Sequence, residues 1–357
     1  MSVTNTYVFY FLIIIGAFGL VWISETYREK HLVVRFSCFN YYVDFLSIAL
    51  LIMAYALLLV PLATRNCGTD TPQYYKTYVA DDTSGLDFFF YLLCKTMHAV
   101  IRDPKTGLGI ISAITLLIMF FSIIRIRTIV DVRYSFLFFF TGIYYYLYNY
   151  MRIMLALSFV MLGFSFIVEH KPKKAIAFLC AAVLFHRSAV LVTVIYIGTL
   201  ILRRHVKLII LFGGIAVGMI MLRPMALLGL VSIERYSALI DYTHASIGIG
   251  TTIRILPFLF LLYYYKRWVK EPVYIAALCF TLANLGFSFL GYYVNSASRV
   301  SNMYFIFHAL CFLPWLIIKE SDFRRRACLK LFCVVYCGFT FYQLSDNFVA
   351  MGIIPYR

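Results

Sequence analysis

Apolar residues occur along this chain in unbroken blocks of 15–20, each closed by a short charged cluster. The blocks are continuous and do not alternate, so each predicts a membrane-spanning helix and none predicts a barrel strand. The windows are 7–23, 44–62, 107–124, 134–148, 150–168, 175–202, 208–222, 252–265, 272–290, 302–318 and 327–342. The first block has neither a basic leader nor a small-residue cleavage site, and reads as a retained span. Window 175–202 is anomalous. Its 28 residues give about 42 Å of helix, too long for one crossing of a ~30 Å core and too short for two.

The charged clusters resolve the anomaly. Basic clusters lie at 24–35, 125–133, 169–174, 203–207, 266–271 and 319–330, and hold twenty of the 32 lysines and arginines. By the positive-inside rule they are expected in the cytoplasm, with the N-terminus outside. Both flanks of 175–202 then lie inside, and the chain between them crosses an even number of times. A pair of short helices meeting part-way satisfies this, with His186 and Arg187 of "LFHRSAVL" at the tip. Irregular backbone at such depth is tolerated where it lines protein or a watery cavity. The expected fold is therefore an all-α polytopic integral membrane protein of about 11–12 transmembrane helices, including this re-entrant pair. Residues 1–357 are read as a single membrane domain.

Two longer segments fall on the expected outer side. Residues 63–106 form a loop in which Thr71-Pro72 reads as a helix start and 86–101 as an interfacial helix; residues 223–251 form the second. The tyrosines of "YYYLYNY" (144–150) read as an interfacial belt.

Composition refines the picture. Hydrophobic residues make up 63% of the chain and charged ones 13%, far from a soluble domain. The net charge of +16 sits in short loops between spans, where it sets topology, so nucleic acid is not an expected partner. Nine cysteines carry no CxxC and no zinc-ligand spacing; Cys67 and Cys94 fall on one side and could form a disulfide. No DxD, HExxH, Walker or GxSxG element is present, and neither a metal nor a cofactor is expected.

Candidate chemistry gathers on the expected outer side. Arg152, Arg187 and Arg299 lie at or inside span ends, and guanidinium suits bidentate recognition of phosphate. Intramembrane ionisable groups count as functional hypotheses by default. Each has a plainer reading: a span-end arginine snorkels to headgroups, a lone histidine packs through a hydrogen bond, and Asp70 organises a helix start. Asp81-Asp82 reads as a solvated loop face.

Four stretches in order resemble the EpsG-like branch of the Wzy polysaccharide polymerases. "RNCGTDTPQYYKTY" (65–78) is similar to its R-x-x-x-G-x-D-x-x-x-Y element and "YNYMRIMLALSFVMLGF" (148–164) to its N-x-x-R-Q span. "FLCAAVLFHRSAVLV" (178–192) is similar to its F-H-x-S-A element, and "SASRVSNMYF" (296–305) to its late R-x-x-x-Y-F span. Ile153 stands where the family often has Gln, and Asp87 where many members have Glu. The resemblance implies a GT-C-like membrane glycosyltransferase of the bacterial inner membrane, with its site on the periplasmic side. Undecaprenyl-diphosphate-linked oligosaccharide would be both donor and acceptor, membrane lipids its surroundings, and a chain-length regulator protein a further partner. The product would be O-antigen, capsule or exopolysaccharide. Within that picture His186 and Asp70 are the catalytic candidates. Arg152, Arg187 and Arg299 would bind diphosphate, and Arg65, Tyr74 and Asp87 would contact sugar or acceptor. A flippase of the same lipid-linked sugars, or a related ligase or lipid-phosphate-sugar transferase, is the alternative.

Overall fold

The computed structural model describes residues 2–30, 34–36, 41–43, 45–79, 87–169, 171–202, 210, 213, 249–290, 311–345, 348–349 and 351–354. They are helical apart from turns and a short antiparallel ribbon, β1 (Val34–Phe36) with β2 (Tyr41–Val43), in which Val34 faces Val43. They gather into two compact units, Met1–Arg187 with Ile317–Arg357, and Ser188–Leu316.

The first unit contains α1 (Val3–Lys30), α2 (Phe45–Thr64), α3 (Thr71–Val79), α4 (Phe88–Val100), α5 (Pro104–Arg125) and α6 (Val132–Gly142). A 3-10 turn, η1 (Tyr144–Tyr148), leads into α7 (Met151–Val168), and α8 (Pro172–Phe185) follows. The second unit contains α9 (Ala189–Leu202), α10 (Ile249–Trp268) and α11 (Pro272–Leu290); α12 (Leu313–Lys319) and α13 (Phe323–Ser345) complete the chain, α13 packing in the first unit. Six of the described helices are long and apolar enough to cross a membrane: α1, α2, α5, α7, α11 and α13. The protein is thus a polytopic helical membrane protein. Window 208–222 and the first part of 302–318 lie largely outside the described residues.

In the first unit α7 packs along α8 and α5, α2 along α1 and α5, and α6 against α13 and α1. Outward faces remain apolar: Leu12, Ile52, Leu331 and Val335 are all 60% exposed or more, as lipid-facing residues are. Inward faces carry small polar contacts, such as Ser24 with Ser47 at 2.7 Å between α1 and α2. Lipid tails are as apolar as leucine, so such contacts and close packing hold these helices together. The densest packing is aromatic. Phe120 of α5 lies 4.7 Å from Phe136 and 6.2 Å from Phe140 of α6, and 5.7 Å from Tyr55 of α2.

The expected span at 134–148 is not one helix. It ends at Gly142 and turns through η1, and Tyr144, Tyr145 and Tyr148 are buried rather than belted at an interface. Their hydroxyls reach backbone carbonyls: Tyr144 donates to Leu58 (2.7 Å) and Tyr145 to Tyr10 (3.0 Å). Tyrosine satisfies its polar tip this way when its ring is packed, and sequence alone does not separate that use from a belt. Cys67 and Cys94 both carry thiols, and the disulfide is not formed. Cys94 sits in an apolar cluster with Tyr78 and Phe90, where a small hydrophobic side chain fits.

The anomalous window is not one continuous helix. The helix breaks at His186, where the backbone is extended (φ −155°, ψ 118°), and resumes at Ala189. Its two halves fall in different units.

The basic clusters of the first unit are tied by carboxylates. Arg28 pairs with the buried Glu25 at 2.9 Å and Arg127 approaches the same residue at 3.6 Å. Arg133 is held by Asp131 (2.8 Å) and Glu29 (3.2 Å), and Arg125 by Glu169 (2.6 Å) while stacking 4.1 Å over Phe166. These pairs join the C-terminal ends of α1, α5 and α7. The N-terminal ends of α5 and α7 are at the opposite pole, with the C-terminal end of α8. Phe120→Ala removes the ring at the α2–α5–α6 junction and should cost about 3 kcal/mol, read as a lowered Tm of the detergent-purified protein.

Candidate functional site

Three helix ends converge at that opposite pole. Asp87 precedes α4, Arg152 is the second residue of α7, and His186 closes α8 with Arg187 next to it. Asp87 is the hub. His186 Nδ1 lies 2.8 Å from its Oδ2. Arg187 Nε lies 3.3 Å from Oδ1, with the Arg187 backbone N–H at 3.4 Å, and Arg152 Nη1 lies 3.8 Å from Oδ2.

The local chain explains why this carboxylate is available. Asp87 is the N-cap residue of α4 with suitable extended backbone (φ −75°, ψ 125°), yet its side chain makes no capping hydrogen bond. An N-cap aspartate ordinarily accepts from the first-turn N–H groups and stabilises its helix by about 1 kcal/mol. Here the carboxylate turns instead to the end of α8. Beneath it, Tyr74, Phe90, Leu108, Met151 and Leu155 pack together with Phe159 and Phe185, fixing α3, α4, α5 and α7 to one another. Phe185, just before His186, stacks on Phe159 at 5.2 Å.

Burial alone would raise the Asp87 pKa. The hydrogen bond from His186 and its charge, then the donors of Arg187, outweigh that, and the carboxyl titrates below its ordinary range. It is therefore ionised at neutral pH, and an ionised carboxylate only accepts. The proton of a neutral His186 must then sit on Nδ1, leaving the Nε2 lone pair free to take a proton. Nε2 has no protein hydrogen-bond partner among the described residues. Two guanidiniums against one carboxylate leave the cluster with a net positive charge while His186 is neutral. Exposure increases outward: the Asp87 side chain is 7% exposed, His186 18%, Arg152 28% and Arg187 61%. A buried anion holding partly open cations and a directed base is an arrangement that can receive an anionic group and deprotonate a hydroxyl beside it.

Tyr74 of α3 packs beneath this cluster, in the same apolar group as Met151, the residue before Arg152. Asp70 does not join it by any direct contact. Its backbone N–H donates to Asn149 Oδ1 (2.9 Å) and its carbonyl accepts from Tyr74, so Asp70 starts α3. Arg65 is 6% exposed and points inward, donating to the carbonyls of Leu62 and Leu147 (the latter at 3.2 Å) and lying 5.5 Å from the Tyr148 ring centroid. It ties the end of α2 to η1. Arg299 lies outside the described residues.

Two features were not read from the sequence. Asp87 was expected as a sugar contact, and its place at the hub follows from partners 99 and 100 residues away. Asn149 gathers Asp70 and the Thr69 hydroxyl (3.0 Å). The Asn three residues before Arg152 was the available signal.

Because the native pKa of Asp87 is lowered, its contribution to stability is fully present above the ordinary carboxylate value and is lost as pH falls through the native one. The Tm difference between wild type and Asp87→Asn should hold steady near neutrality and shrink only below about pH 4. A difference unchanged down to pH 2 would refute the charged hub.

No curated protein and no solved structure matches the chain. Its sequence matches the EpsG family over residues 48–357, which takes in the second unit, most of the first and every residue of the cluster. The chain belongs to the EpsG family.

Proposed function

We propose that this protein is a membrane glycosyltransferase that polymerises undecaprenyl-diphosphate-linked oligosaccharide repeat units at the outer face of the bacterial inner membrane. Membership of the EpsG family supports a polysaccharide polymerase role. The observation that carries the finer reading is the Asp87–His186 contact, set between Arg152 and Arg187.

Polymerisation by direct displacement needs three things of a site. The attacking hydroxyl must lose a proton as it bonds to the anomeric carbon. The bond from that carbon to the diphosphate oxygen must break with its electron pair. The departing lipid diphosphate must be stabilised as its charge grows. In this reading His186 Nε2 takes the hydroxyl proton, and Asp87 holds the imidazole in the correct tautomer and stabilises the imidazolium. Arg152 and Arg187 neutralise the leaving diphosphate, and their preorganisation by Asp87 avoids reorganisation during the reaction. Arg299, contributed by the late "SASRVSNMYF" stretch (296–305), is proposed as a third diphosphate contact. Tyr74 steadies Arg152 through Met151, Arg65 shapes the site from beneath, and Asp70 acts through the start of α3. A chain-length regulator is a proposed partner.

His186→Ala and Arg152→Ala should each leave membrane insertion intact and cut polymer formation by about 100-fold or more, with single repeat units persisting on the lipid carrier. The check is the length distribution of lipid-linked product made by purified protein supplied with lipid-linked repeat units alone. Normal lengths in both variants would refute the assignment, and transbilayer movement of the substrate without any elongation would favour a flippase.

A further inference from the structure

A short segment far from the cluster in sequence is packed against the loop that leads into it. Residues 348–349 and 351–354 come after α13 in the chain, with Gly352 N–H donating to Val349 and Ile353 N–H to Phe348, both at 2.9 Å. Phe348 is fully buried, its ring centroid 4.8 Å from that of Tyr145, 5.7 Å from Tyr10 and 6.2 Å from Tyr7. Tyr10 donates its hydroxyl to the Ile353 carbonyl at 2.9 Å. The backbone then pairs with the loop between α2 and α3. Gly68 N–H donates to the Gly352 carbonyl at 2.8 Å, and Thr69 N–H to the Met351 carbonyl at 3.0 Å.

Both glycines are required by this contact. Gly68 has φ +105°, and a Cβ there would fall 2.5 Å from the Tyr148 carbonyl oxygen. Gly352 has φ +66°, and a Cβ there would lie 3.2 Å from both Thr69 Cγ2 and Thr69 N. The loop is thus pressed between 348–354 on one side and η1 with Asn149 on the other.

We infer that residues 348–354 position the site, acting through the Gly68–Thr69 loop, α3 and Tyr74 on Arg152. The path is continuous. The segment fixes Gly68 and Thr69, Asn149 fixes Thr69 and Asp70, Asp70 starts α3, and Tyr74 of α3 packs in one apolar cluster with Met151, next to the Arg152 that lies beside Asp87. The inference rests on the proposed polymerase reading for its activity readout, and on geometry alone for its conformational one.

Two variants test it in purified full-length protein: Phe348→Ala, which empties the aromatic cage, and Gly352→Val, whose branched side chain does not accept positive φ. Cys67, buried next to Gly68 and not in a disulfide, reports loop position through its reaction with a maleimide. The other eight cysteines are replaced by serine. The expected result is a Cys67 that reacts at least about tenfold faster in the variants than in the parent. The apparent KM for lipid-linked repeat units should rise about tenfold and kcat should fall with it, because Arg152 is assigned both to holding the substrate's diphosphate and to stabilising it as it leaves. Simple loss of folded protein would lower kcat and leave KM alone. Phe348→Leu, which refills the cage, should restore KM. Exposed Cys67 with wild-type KM, or raised KM with Cys67 still protected, would overturn the inference. Full activity of His186→Ala would instead overturn the polymerase reading, leaving the Cys67 result to stand alone.

Discussion

A single carboxylate attracting three cationic or basic groups is the constraint on which this pole of the molecule depends. Like charges brought to helix ends in a poorly hydrated region repel one another, and Arg152, Arg187 and a protonated His186 could not share that space without an anion between them. Asp87 supplies it. The arrangement costs α4 its cap and takes a charge out of water, and it is offset only because the carboxylate keeps several donors at once. Removing one partner of such a group is more damaging than never having built it. The rest of the unit serves the same end: the aromatic floor fixes α3, α4, α5 and α7, and the break at His186 ends α8 where its last residues meet Asp87.

The first unit is polarised. At one end, Glu25, Glu29, Asp131 and Glu169 tie Arg28, Arg125, Arg127 and Arg133, four carboxylates to four arginines, within clusters that stay basic overall. At the other, one aspartate serves two arginines and a histidine, and positive charge remains over. The same side-chain chemistry therefore does two jobs, separated by the ratio of anions to cations. Matched pairs hold helices together, and an unmatched set leaves capacity for a ligand.

Much of this was legible in the sequence because the bilayer imposes lengths. Continuous apolar runs gave the helices, and the mismatch between 28 residues and any whole number of crossings located the break at His186-Arg187 before any coordinate was known. Arg152 stood out for the cost of a charge inside an apolar run. Asp87 did not, since an aspartate at the edge of a loop is ordinary by every local measure and only tertiary contact distinguishes it. Tyr144, Tyr145 and Tyr148 were misread for a related reason. A tyrosine at a membrane surface and one packed on a neighbouring helix carry the same pattern, and the difference lies in which carbonyl the hydroxyl meets. Arg65 is buried and braces Leu62 and Leu147, contacts that its local sequence does not announce. The segment at 348–354 carried no signal beyond Gly352, because its partners are some 280 residues upstream.

The Asp87 carboxylate also has a consequence for turnover. Any anion arriving at Arg152 and Arg187 meets guanidiniums that already have a resident counterion, so it gains less than it would from bare cations, and the cations relax back to Asp87 when it leaves. Affinity is thereby tempered in both directions. Under the proposed polymerase reading, where a highly charged leaving group is discarded after every cycle, such a built-in competitor would help, since an uncontested arginine pair would hold the spent carrier and stall.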